Sequence, residues 1–113
     1  MMIFTYEEIK ESVEEDFERF YEMGFDEKQI FPAVLNEYEH GEDFGLVENI
    51  CIHVLLVLNY AKNDLNYKEI IEKLSQLMSE DVENMIKIEL GSEYAKFIAD
   101  LNDVRSKSKC RNS

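Results

Sequence analysis

Sixteen residues from Leu46 to Ala61, LVENICIHVLLVLNYA, are apolar on nearly every side, whereas every other segment of the chain is apolar along one stripe only. A helix of that kind has to be buried, wrapped by amphipathic neighbours. The apolar run from Ile50 to Leu58 is interrupted by His53 and is roughly half what a bilayer span requires. The stretch therefore predicts the central helix of a bundle. It carries no chemistry of its own, so function has to be sought on the surface that the other helices present.

Those neighbours are legible from periodicity. Thr5 with Glu8 forms a capping-box pattern, and Gly24 marks a stop, so a first helix is expected over about 5–23. Tyr6, Ile9, Val13, Phe17 and Phe20 fall on one face. Glu8, Glu11, Glu15, Glu18 and Glu22 form a row about half a turn away. Arg19 lies beside that row and relieves its repulsion only in part. A second helix opens near Asp26, with Gln29 completing another capping pattern, and runs to about His40. Ile30, Val34 and Tyr38, joined by Phe31 and Leu35, mark its apolar face; Pro32 predicts a kink or a late start. The turn His40-Gly41-Glu42-Asp43 is polar and acidic, and Asp43 is placed to cap the central helix.

Beyond Ala61, Lys62-Asn63-Asp64 reads as a turn, and Asn66 with Glu69 predicts a fresh N-terminus for a helix to about Met78. Val82, Met85, Ile86, Ile88 and Leu90 suggest a shorter helix ended by Gly91. Ser92 is expected to cap a last helix with Tyr94, Phe97, Ile98, Leu101 and Val104 on its face. No alternating run long enough for a strand and no internal repeat is present. The expectation is an all-α fold, a compact bundle of five to six helices around the buried helix at about 46–61. A single domain over 1–104 would be followed by a basic, flexible tail over 105–113.

Charge adds what periodicity cannot. The 113 residues hold 25 acids and 12 bases. Residues 1–48 carry fifteen acids against Lys10, Arg19 and Lys28, a net of −12, whereas residues 49–113 carry ten acids and nine bases, a net of −1. Almost the whole imbalance sits in the N-terminal half. Such a field repels nucleic acid and anionic membrane and attracts a basic protein. The two cysteines form no disulfide framework, and no secretion signal is evident, so the cytoplasm is the expected compartment.

Catalytic and metal readings are weak. Acid/base chemistry needs a carboxyl in an environment that shifts its pKa, and these carboxylates fall mostly on solvated faces. Glu37-Tyr38-Glu39-His40 holds one Glu-x-x-His, but a di-metal carboxylate site needs two, and residue 50, three before His53, is Ile. His53 reads as a core or subsurface histidine bonded to a neighbour. Cys51 reads as a small hydrophobe rather than a nucleophile, and Cys110 lies in the tail. No phosphate-binding loop, dinucleotide glycine pattern, nucleophile elbow or zinc spacing is present. The expectation is a protein that is not an enzyme and needs no metal or cofactor.

What remains is an acidic surface. The candidate contact residues are Glu8, Glu11, Glu15, Glu18 and Glu22, with Glu39, Glu42 and Asp43 from the acidic turn. Carboxylates are poor hot-spot residues unless paired, so aromatic anchors are required, and Tyr21, Phe25 and Phe44 lie close by in sequence.

Several stretches carry a resemblance: Thr5-Tyr6-Glu7-Glu8 opening an acidic helix, then Gly24-Phe25-Asp26-Glu27, an acidic turn before an Ile/Leu helix, and Tyr94-Ala95-Lys96-Phe97-Ile98 leading to Leu101 and Val104. From Thr5 to about Val104 the chain resembles a mostly all-α family of immunity proteins from bacterial polymorphic toxin systems, neutralisers of contact-dependent or LXG-type toxins. Pro32 departs from that pattern. The resemblance implies inhibition rather than catalysis: binding of a cognate toxin domain in the producing cell. Charge adds that the toxin domain should be basic, as nucleases are where they hold phosphates. The competing expectation, from another class, is a non-catalytic helical adaptor or a subunit of a larger complex.

Overall fold

The computed structural model describes residues 5–39 and 45–111, with side chains through Lys107. Six α-helices span them: α1 (Tyr6–Glu22), α2 (Glu27–Glu39), α3 (Leu46–Lys62), α4 (Lys68–Leu77), α5 (Glu80–Leu90) and α6 (Tyr94–Arg111). A 3-10 turn, Gly91–Glu93, joins the last two, and no strand occurs among the described residues. The chain is an all-α bundle. No helix among the described residues is long and apolar enough to cross a membrane.

Every residue of α3 from Ile50 to Val57 is buried, more than two full turns. Burial on all sides requires cover on all sides, and α1, α2, α4, α5 and α6 all pack against α3. Leu55 and Leu56, at 1% and 0% exposure, are typical of this core. Each such side chain contributes about 1.5–3 kcal/mol of burial free energy.

On α1, Tyr6, Ile9, Val13 and Phe17 are buried and Phe20 is half-buried, so the expected stripe faces α3 and tapers at its end. The capping box forms as the sequence indicates: Glu8 N–H donates to Thr5 Oγ1 at 3.1 Å and Thr5 N–H donates to Glu8 Oε1 at 3.0 Å. Gly24 closes the helix at φ 93°, a left-handed conformation that favours glycine. A second tie was not legible from local sequence. The Glu93 carboxylate accepts from the N–H groups of Tyr6 (3.0 Å) and Glu7 (3.4 Å), satisfying first-turn donors from 86 and 87 residues away. Tyr6 Oη donates to Asp100 at 2.6 Å, and Lys10 reaches the same oxygen at 3.3 Å. The N-terminus of α1 is thereby clipped to α6.

α2 neither starts late nor stops at Pro32. Asp26 and Gln29 close a reciprocal box, Gln29 N–H to Asp26 Oδ1 and Asp26 N–H to Gln29 Oε1, both at 3.0 Å. That secures the first turn, and the helix then runs through Pro32 to Glu39. At α3 the N-cap position is Gly45, whose N–H donates to Glu48 Oε2 at 3.2 Å; Asp43, expected there, lies outside the described residues.

Asn66 helps open α4 by accepting the Lys68 N–H at 3.0 Å, and Ser79 caps α5 by accepting the Val82 N–H at 3.2 Å. Ser92 is not the cap of α6. It lies inside the 3-10 turn, whose tighter winding runs directly into Tyr94 and leaves no extended residue to serve as cap. Nor does the last helix end at Val104: its backbone is helical through Arg111. Arg105 is paired with Glu83 at 3.0 Å and Lys107 with Asp103 at 3.6 Å, so the basic stretch opens on helix.

Candidate functional site

The core stripe of α1 is turned inward, and its period therefore fixes the opposite row outward. Glu8, Glu11, Glu15, Glu18 and Glu22 are all exposed, as is Glu14, which the sequence reasoning left out. The 14-18-22 spacing already carried the signal for it. Among the described residues none of these six enters an ion pair. The nearest base is diverted. Arg19 binds Glu37 of α2 at 2.7 Å and Asp16 at 3.5 Å, away from the row. Glu8 also serves the cap, and its hydrogen bonds from Thr5 hold its carboxyl below the usual range.

Packing divides the row between two grooves, one walled by α2 and the other by the end of α3. Glu8, Glu11 and Glu15 border a groove of about 310 Å³ against α2, with Ile9, Ser12 and Tyr38 as its other walls. The Ser12 and Tyr38 hydroxyls share a hydrogen bond at its base. Burial, partly offset by that bond, leaves the Tyr38 phenol pushed up to about 12, so it stays neutral at physiological pH. Glu14, Glu18 and Glu22 border a second groove, about 300 Å³, against the end of α3, lined also by Phe17, Tyr21, Asn59, Lys62 and Asn63. The groove walls outside α1, Tyr38 and the stretch from Asn59 to Asn63, lie well away from the row in sequence, so this division was invisible before folding.

The expected aromatic anchors behave differently. Tyr21 stacks on Phe17 with ring centroids 5.7 Å apart and is still 43% exposed beside Glu18 and Glu22. Phe25 is half-buried against Phe20, centroids 5.0 Å apart, and is partly spent on the fold. Glu39 is exposed at the end of α2. Glu42, Asp43 and Phe44 lie outside the described residues, as does His40 of the Glu-x-x-His pattern.

Elsewhere the chemistry-bearing groups are enclosed. His53 is 2% exposed, its Nδ1 lies 2.7 Å from Asn49 O, and its ring meets Phe31 edge-on at 5.2 Å. Burial first, and Lys73 second, lower its pKa, while the Asn49 bond opposes them. Cys51 is buried, and burial pushes its thiol well above the ordinary range, which suppresses the nucleophilic thiolate. Among the described residues no group of three or more His, Cys, Asp or Glu side chains is placed to hold a metal ion. Comparison with known protein families, with curated proteins and with solved structures finds no match to this chain.

Proposed function

We propose that the chain is an immunity protein of a bacterial polymorphic toxin system, a cytoplasmic, non-catalytic inhibitor that binds a basic toxin domain through the outer face of α1. The observation that carries this reading is the unpaired, exposed row Glu8, Glu11, Glu14, Glu15, Glu18 and Glu22, divided between two grooves and flanked by Tyr21. Carboxylates without ion pairs cost a helix stability, so a face that keeps five of them beside the capping Glu8 is better suited to a partner than to the fold. Grooves on either side give long cationic side chains somewhere to lay their aliphatic stems. A nuclease is the toxin class such a surface suits best, since its phosphate-binding surface is basic.

The test is a calorimetric titration against the C-terminal domain of a toxin encoded immediately upstream, at low and physiological salt. Tight binding that weakens with salt is the expected result; no binding to a correctly folded toxin domain counts against the pairing. Replacing Glu11, Glu15 and Glu18 together by Gln should slow association at low salt, and an unchanged on-rate would move the interface off this face.

The second reading, a helical adaptor or subunit, is favoured by one feature. On α5, Ile88 is 81% exposed and Met85 41% exposed, apolar surface that a docking face on α1 leaves unused. Stable co-purification with a larger complex that Ile88→Glu abolishes would favour it over toxin binding.

A further inference from the structure

Five residues after the acidic row ends at Glu22, α2 is fastened at its front turn in an unusual way. Tyr60, in α3 and 1% exposed, donates its hydroxyl to Glu27 C=O at 2.6 Å and accepts the Phe31 N–H at 2.8 Å. One side chain thus bridges both ends of the rung linking residues 27 and 31. The next rung lacks its donor, because Pro32 has no N–H to offer the Lys28 carbonyl and its ring crowds that oxygen. The Glu27 carboxylate also accepts the Asn66 N–H, tying the same turn to the lead-in of α4. Beneath it lies a groove of about 300 Å³ lined by Glu27, Phe31, Tyr60, Asn66 and Ile70 among others. A turn that is missing a rung behind, and that is held in front by polar ties from Tyr60 and Asn66, has a weak joint about which it can open locally.

We propose that residues 27–31 open as a unit about Pro32, with the Tyr60 hydroxyl as the clasp, while α3 stays folded. Opening takes the buried Ile30 and Phe31 side chains out of the core, so the open form is a minor state, and it turns the first turn of α2 into a movable flap. The hinge is Pro32 because the missing Lys28–Pro32 rung is the weakest joint of the helix. Val34 beyond the hinge and Ile30 ahead of it are both fully buried, so the two sides differ in the missing rung and not in burial. This inference stands on α2, α3 and α4 and does not depend on the identity of any partner.

Native-state amide hydrogen exchange tests it on the full chain. In the unmodified protein the Ile30 and Phe31 amides should exchange at least about tenfold faster than those of Val54 and Leu55 in α3, with little dependence on denaturant. Tyr60→Phe should speed Ile30 and Phe31 by roughly a further tenfold, the effect of losing a two-sided hydrogen bond, and leave the α3 amides unchanged. Pro32→Ala restores a donor for Lys28 C=O and should slow Ile30 and Phe31 by about threefold or more. Exchange of Ile30 and Phe31 in step with α3 in the unmodified protein overturns the proposal, as does equal acceleration of both sets by Tyr60→Phe. Should Tyr60→Phe fail to fold, Pro32→Ala decides: slowing confined to α2 supports the hinge, and unchanged rates refute it.

Discussion

The central helix α3 and the outer face of α1 are opposites in how they spend their side chains. From Ile50 to Val57 every side chain of α3 is buried, and even His53 and Cys51 are shut away from solvent. Along the outer face of α1, six glutamates enter no ion pair among the described residues. Substitution in α3 should therefore damage the fold and leave recognition to follow. Substitution in the α1 row, apart from the capping Glu8, should spare the fold and change only the field that a partner meets. The difference teaches that a helical bundle can separate the residues that stabilise it from those that present charge, provided one helix takes all the burial.

The sharpest way to break that contrast is at Leu55, 1% exposed. Leu55→Ala should cost about 3 kcal/mol through lost burial and a residual cavity, read as a drop in the urea midpoint. A loss well under 1 kcal/mol would mean that α3 is not the organising core. Next in size is the clip between α1 and α6. Glu93→Ala leaves the Tyr6 and Glu7 N–H groups without their acceptor and should cost about 1–2 kcal/mol in thermal or urea unfolding. A negligible change would show that solvent caps α1 equally well.

His53 probes the core through pH. Its pKa is lowered on folding, so the unfolded chain binds the proton more readily, and this contribution to stability is lost as pH falls through the unfolded value near 6.5. The urea midpoint of the unmodified protein, relative to His53→Gln, should therefore fall between pH 7 and pH 5. Parallel pH curves for the two proteins would show that the imidazole does not resist protonation. The smallest effect belongs to the acidic row. Glu11→Gln, Glu15→Gln and Glu18→Gln together should leave stability unchanged or raise it by a few tenths of a kcal/mol, since like charges are relieved and no ion pair is lost. A loss above about 1 kcal/mol would mean that the row has a structural partner after all.

Much of this was legible because it is local. The capping boxes at Thr5–Glu8 and Asp26–Gln29 are four-residue patterns, and both form as their spacing indicates. The two faces of α1 follow from 100° per residue, so the outward direction of the candidate carboxylates was fixed before any packing was known. The late start that Pro32 suggests does not occur, and the reason is again local. The proline's cost to an isolated helix is real, but the Asp26 box and the Tyr60 hydroxyl hold the turn ahead of it. The end of α6 was misplaced because lysine, serine and arginine read as solvated tail, whereas Arg105 finds Glu83 on another helix.

By itself the sequence determined the helical class, the burial of α3, the outward acidic row and the segregation of charge into residues 1–48. All of these depend on composition or on neighbours within about four positions. Only the tertiary structure decided that Glu93 and Asp100 clip the start of α1, that Arg19 turns away to Glu37, and that the acidic row is divided between two grooves. Each of those depends on residues brought together from distant parts of the chain. Periodicity says which way a side chain points, but only packing says what it meets there.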